Sequence, residues 1–248
     1  MSYPIKGKTA LVTGANRGIG EAIVDALIKA GASKVYAAAR NTKDLAPLTA
    51  RHGTRVVALQ LDVTQSAQIT AAAQVAPDVQ LLVNNAGYAG HSGGAFTDAQ
   101  WLVEGRKEME VNYFGAFALS QAFAPVLGKN GGGAIVNIAS VASLVNFALF
   151  ASYSASKAAV HSLTQATRAL LKKQGTLVFG VYPGPIDTRM AADVPFEKTS
   201  PAEAAQAIVA GIEAGQEEIF PDPMSVNMGA AWLAGPKELE RQVSAMAG

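Results

Sequence analysis

The sequence predicts an α/β protein built on a doubly wound parallel sheet with helices on both faces. Short apolar runs recur along the chain and are separated by longer segments whose apolar residues fall at helical spacing. The runs are largely apolar throughout, as strands buried on both faces of a parallel sheet are. A glycine-rich turn follows the first run and leads into a helical pattern, which starts the β-α alternation of such folds. Right-handed crossovers then generate the doubly wound arrangement.

Residues 9–12 (TALV) read as the first strand. After the glycine turn, residues 20–30 carry Ala22, Ile23, Ala26, Leu27 and Ala30 at helical spacing. Further strands are predicted at 35–39, 55–61, 81–84, 133–138 and 177–182, with a weak last one at 218–220. Helices are predicted at 67–75, 98–127, 154–174 and 201–214. The glycine-rich stretch 128–133 is short enough to be one helix-to-strand turn. There is no internal repeat, low-complexity segment or linker, so residues 1–248 read as one Rossmann-type domain. A lid is expected at about 186–200, and an alanine-rich, helical tail containing Trp232 at about 221–248.

Composition narrows the function classes. The absence of cysteine removes disulfides, thiolate metal sites and a cysteine nucleophile, and suits a reducing cytoplasm. His52, His91 and His161 are far apart and show no ligand spacing, so no metal site is expected. A net charge of +1, from 20 basic and 19 acidic residues, does not suggest nucleic acid or an anionic membrane as the main partner. No uncharged apolar run reaches the ~18 residues of a membrane span, and the N-terminal residues lack a signal-peptide pattern. A cytoplasmic protein is the expectation.

Four motifs carry chemistry. Between the first strand and helix stands T-G-A-N-R-G-I-G, whose Gly14, Asn16, Arg17, Gly18, Ile19 and Gly20 form the candidate pyrophosphate turn. Backbone N–H groups at a helix N-terminus favour a phosphate, and glycines let the backbone approach it. A plain glycine turn between strand and helix is the alternative. Asn84-Asn85-Ala86-Gly87 follows a strand, which places Asn84, Ala86 and Gly87 beside the ligand crevice of a parallel sheet unless the tetrad is only a turn. Tyr153 and Lys157 are spaced i, i+4 and share a helix face if the helix has begun there. An ammonium beside a phenol lowers its pKa toward a range useful for acid–base catalysis. A surface pair is the other reading. Ser140 ends the strand before them, where its hydroxyl could bond a substrate oxygen; Ser143 is a rival.

In this order, GxxxGxG, NNAG, Ser and YxxxK resemble the classical short-chain dehydrogenase/reductase family, from about Lys8 to about Met190. Asp62 and Val63 resemble its adenine-contacting pair, Asn112 its helix asparagine, and Pro183, Gly184, Ile186 and Thr188 its P-G-x-x-x-T segment closing on the nicotinamide. The resemblance implies an oxidoreductase moving a hydride between a nicotinamide and a carbonyl or alcohol. Tyr153 would be the proton donor or acceptor. Lys157 would lower the Tyr153 pKa and hold the nicotinamide ribose, Ser140 would orient the substrate oxygen, and Asn112 would support a water relay. A nucleotide-binding sensor without turnover and a reductase of carrier-bound 3-oxoacyl groups are the alternatives.

Within that resemblance, Ala39 stands where NAD-preferring members usually carry Asp, and Arg40 follows it. With Arg17 nearby, NADP(H) is expected over NAD(H), because guanidinium groups bind a phosphate that a carboxylate would repel. The pocket expected by resemblance uses Ser140, Val141, Phe147, Phe150, Tyr153, Met190 and Phe196, an apolar set that predicts a mostly apolar ketone, aldehyde or secondary alcohol. The family's Asp-Gly-Gly is replaced by Ile219-Phe220-Pro221-Asp222-Pro223, which puts its usual tetramer in doubt; a homodimer through the helices at 112–127 and 154–171 is expected, with a homotetramer as the alternative.

Overall fold

The computed structural model describes residues 2–90 and 93–245. His91 therefore lies outside the described residues. Strands β1 (Thr9–Thr13), β2 (Lys34–Ala39), β3 (Val56–Gln60), β4 (Leu81–Asn84), β5 (Ala134–Ile138), β6 (Leu177–Val181) and β7 (Glu218–Ile219) form one sheet in the order β3-β2-β1-β4-β5-β6-β7. Every pairing is parallel. The chain winds outward from β1 on one side and from β4 on the other, so the strand order reverses between them. Ligands of such sheets bind at that reversal, beyond the carboxyl ends of the strands. The glycine turn leaves β1 there and the NNAG tetrad leaves β4 there.

Alternate strand residues point to opposite faces, and both faces are covered. Ala10, Val12, Val35, Ala37, Val83 and Val136 pack with α1 (Gly18–Lys29) and α7 (Pro201–Ala214). Leu11, Ala38, Leu82 and Ile135 pack with α3 (Ser66–Val75) and α5 (Gly115–Lys129). This two-sided burial is why the strands read as unbroken apolar runs. The last helices, α8 (Pro223–Ala234) and α9 (Pro236–Ala245), form a smaller cluster with Val141 and Val145.

Three sequence expectations change. A short helix, α2 (Ala46–His52), stands between β2 and β3. Only Leu48 of it is buried, so it has no apolar stripe to reveal it. The single helix expected at 98–127 is three pieces: α4 (Gln100–Glu108), a π-helical turn (Met109–Phe114) and α5. Apolar periodicity survives on both sides of a π-turn, but the phase slips across it. The long α6 (Ala151–Leu171) begins three residues earlier than the pattern suggests.

Candidate functional site

The glycine turn is locked by its neighbours. Ala15 N–H donates to the Ala38 carbonyl at 3.0 Å. Thr13 Oγ1 accepts from the backbone N–H groups of Asn85 and Ala86, each at 3.0 Å, and Asn85 Nδ2 donates to the Thr13 carbonyl at 2.8 Å. The two loops at the strand reversal are thereby fixed to each other. Gly18 has φ +57°, and a Cβ there would lie 3.0 Å from Thr188 Cγ2. At Gly20 a Cβ would strike the Gly14 carbonyl oxygen and Asn85 Nδ2. These positions keep the backbone bare at the N-terminus of α1, where no side chain caps the helix. The N–H groups and the helix dipole together make that end suited to a phosphate. The donor set and the space that a Cβ would fill both fit a dinucleotide.

Ala39 is buried at the end of β2, and Arg40 and Arg17 are exposed. Among the described residues neither guanidinium is held by a carboxylate. Asp62 Oδ1 accepts from Thr64 N–H and Oγ1 at 3.0 and 2.8 Å, fixing the corner after β3. Val63 and Ile186 are buried. Asn84 turns away from the crevice: its Nδ2 donates to Asn137 Oδ1 at 2.8 Å and to Ser120 Oγ at 3.1 Å inside the sheet–helix layer. Any contact of Asn84 with a cofactor is left to its backbone.

The second half of the site gathers at the ends of β5 and β6. Ser140 Oγ donates to the Pro183 carbonyl at 3.3 Å and accepts from the Ala142 N–H at 3.1 Å, with the Tyr153 phenol near it. Ser143 Oγ instead accepts from the Ser140 N–H at 3.1 Å and serves the turn. Lys157 is buried and donates to the Ile138 carbonyl at 2.9 Å; its Nζ lies 5.7 Å from the centre of the Tyr153 ring. Asn112, in the π-turn, accepts from Tyr88 N–H at 2.7 Å and donates to the Tyr88 carbonyl and to Ser156 Oγ, both at 2.8 Å. A Cβ on Gly87 would sit 3.5 Å from Asn112 Oδ1 and 3.6 Å from Lys157 Nζ, so the NNAG loop ends between them.

The electrostatics depart from the sequence expectation. Burial pushes the Tyr153 phenol up to about 12; the Ser140 hydrogen bond works against this rise and the charge of Glu108 adds to it. Burial lowers Lys157 to about 8. The dry surroundings oppose both charged forms, so desolvation outweighs the help that one charge gives the other. At neutral pH this arrangement offers a phenol that holds its proton, next to a serine hydroxyl, with an ammonium behind them.

The pocket residues divide. Val141 and Phe147 pack against Met224, Met228 and Trp232 of α8, so the tail supports this wall. Phe150 stands at the start of α6 and Phe196 is half-buried. Met190 is 52% exposed on a short turn (Arg189–Ala191) beyond Thr188. Sequence reasoning passed over Thr13, Asn85, Glu108 and Asp222. Asp222 caps α8 by accepting from Ser225 N–H at 2.9 Å, and it also accepts from Gly184 N–H at 2.7 Å. Its D-P-x-S pattern is a readable helix start, but the Gly184 contact is not.

The chain is similar to known proteins in sequence and in fold. The family model for short chain dehydrogenases matches residues 8–198. A short chain dehydrogenase from Burkholderia cenocepacia, solved in complex with NADP, superposes with a TM-score of 0.89 at 38% identity, covering 97% of this chain and 99% of that one. A galactitol 2-dehydrogenase (L-tagatose-forming) from Cereibacter sphaeroides is 40% identical over 198 residues, 76% of this chain and 75% of that protein. A 7α-hydroxysteroid dehydrogenase complexed with NADH and 7-oxo glycochenodeoxycholic acid superposes with a TM-score of 0.79 at 28% identity, covering 87% of this chain and 93% of that one.

Proposed function

The chain belongs to the short-chain dehydrogenase family and is an oxidoreductase of that family, and we propose that it is an NADP(H)-dependent carbonyl reductase or alcohol dehydrogenase with Tyr153 as its proton donor and acceptor. The observation that carries this reading is the meeting of Ser140, Tyr153 and Lys157 at one end of the sheet. That end faces the uncapped N-terminus of α1. When bound, the nicotinamide supplies or accepts the hydride. Gly14, Asn16, Arg17, Gly18, Ile19 and Gly20 hold the pyrophosphate. Asp62, Val63, Ala86 and Gly87 flank the adenosine side, and Pro183, Gly184, Ile186 and Thr188 the nicotinamide side. Ser140 orients the substrate oxygen. Tyr153 gives its proton to that oxygen in reduction and takes it back in oxidation. Lys157 stabilises the phenolate left behind, and Asn112 holds the Tyr88 backbone and α6 in place around it.

Arg40 and Arg17, both without a carboxylate partner among the described residues, support NADP(H), as does the NADP complex of the Burkholderia relative. The NADH complex of the hydroxysteroid dehydrogenase makes the cofactor a matter for direct kinetics. A site lined by Val141, Phe147, Phe150, Met190 and Phe196 favours apolar carbonyls over keto acids through burial of apolar surface, about 25 cal/mol per Å². A homo-oligomer, dimer or tetramer, in the cytoplasm completes the proposal. The test is turnover of ketones, aldehydes and secondary alcohols with both cofactors, in the wild type and in Tyr153→Phe. Loss of turnover in the variant with cofactor binding retained supports the assignment. Activity within a few-fold of the wild type removes Tyr153 from it.

A further inference from the structure

One helix face holds the loop that follows the NNAG tetrad. Glu104, Glu108 and Asn112 are spaced four residues apart along α4 and the π-turn, and each bonds the 88–90 segment. Glu104 Oε2 accepts from the Tyr88 phenol at 2.6 Å, Glu108 Oε1 accepts from Gly90 N–H at 2.9 Å, and Asn112 takes both backbone groups of Tyr88. Glu108 is the unusual member. It is fully buried, and its second carboxylate oxygen, Oε2, has no hydrogen-bond partner among the described residues.

Its position along the helix explains what it faces. One turn before it, Gly105 packs so closely on α6 that a Cβ would lie 3.0 Å from Ser152 Cβ. One turn after it, Asn112 donates to Ser156 of α6 at 2.8 Å. Glu108 is thus enclosed between two contacts of α4 with α6, at the level of Tyr153, which lies between Ser152 and Ser156. A buried carboxylate with an unpaired oxygen costs the fold stability. The Gly90 bond does not need that charge, because a carboxamide oxygen would accept it as well.

We propose that Glu108 is a positioning residue for proton transfer: its buried negative charge keeps the proton on Tyr153 while its bonded oxygen pins the substrate loop. This rests on the reading of Tyr153 as the proton donor. Other groups on the elements around the phenol, among the described residues, are Lys157, Glu104 and Ser140. Lys157 on α6 acts in the opposite sense, from 5.7 Å behind the ring. On α4, Glu104 is paired with Lys107 at 2.8 Å and bonds Tyr88 of the loop. Ser140, just beyond β5, works against the rise in the Tyr153 pKa, and the charge of Glu108 adds to it. Glu108 therefore extends carbonyl reduction to higher pH and delays alcohol oxidation, which needs the phenolate.

Glu108→Gln removes the charge and keeps an acceptor for Gly90. A buried charge near a titrating phenol interacts with it enough to move its pKa by about half to one unit. The alkaline limb of carbonyl reduction should fall by that amount. Alcohol oxidation below its acid limb should rise about 3- to 10-fold, with the KM for the carbonyl little changed. A second readout needs no turnover: tyrosines labelled with 13C at Cζ, with Tyr153→Phe assigning the resonance, report the Tyr153 phenolate fraction near pH 10 in the NADP+-bound protein. That fraction should be larger in Glu108→Gln. If the amide variant does not fold, Glu108→Ala should show the same shift together with a raised KM from the released loop. Superimposable pH profiles and phenolate fractions in a folded variant overturn the proposal. If the wild type turns over no carbonyl or alcohol, the proposed function fails, and the resonance still decides the role of Glu108.

Discussion

Lys157→Met should make the protein more stable while abolishing its activity. Lys157 is buried, and its pKa is lowered from 10.5 to about 8 by desolvation. At pH 7 the group is charged in both the folded and the unfolded chain, so the folded state carries the full penalty of burying the ammonium. A shift of about 2.5 units corresponds to roughly 3 kcal/mol. The bond to the Ile138 carbonyl disappears in the variant and offsets part of this, leaving a gain of about 2 kcal/mol. For a chain of this size that raises Tm by roughly 4–8 °C. The pH dependence provides the sign check. As pH rises through about 8 the folded lysine loses its proton while the unfolded one keeps it to 10.5. The wild type therefore gains stability over that window and the gap to the variant closes. Thermal and urea unfolding of both proteins, without cofactor, at pH 7, 8.5 and 9.5 reads this directly. A variant no more stable than the wild type at pH 7, or a gap that does not narrow with pH, refutes the burial argument.

Ser140→Ala should lower kcat/KM about 100-fold or more, as loss of a donor at a developing oxyanion does. Ser143→Ala should cost less than tenfold, since it serves a turn; the reverse ranking in steady-state kinetics would exchange their roles. Ala39→Asp combined with Arg40→Ala should shift the ratio of kcat/KM values from NADPH toward NADH by at least tenfold, and an unchanged ratio would place the 2′-phosphate elsewhere. Asp222→Ala removes the cap of α8 and the acceptor for Gly184 N–H. Loss of the cap should lower stability by about 1 kcal/mol. Cofactor titration by nucleotide fluorescence should show weaker binding, and an unaltered Kd would separate α8 from the nicotinamide side.

The sequence by itself determined the sheet, the order of its β-α units and the candidates for the reacting groups. Two-sided burial writes itself as continuous apolar runs, and three of the four motifs follow strand ends because that is where a parallel sheet presents its loops, while Tyr153 and Lys157 lie in α6. Local patterns carry this information, since each strand or turn depends on residues adjacent in the chain. Only the tertiary structure decided what each side chain meets. It placed a π-turn under Asn112, aimed Asn84 into the sheet instead of the crevice, and turned Lys157 toward the Ile138 carbonyl. It buried Glu108 under the loop after β4 and set Asp222 against Gly184. It also reversed the expected direction of the Tyr153 shift. The i, i+4 spacing places an ammonium near the phenol, but the pKa depends on how much water the rest of the fold excludes. That exclusion is produced by α4, β5 and the loop after β4, which are distant in the chain and contribute no signal to the motif itself.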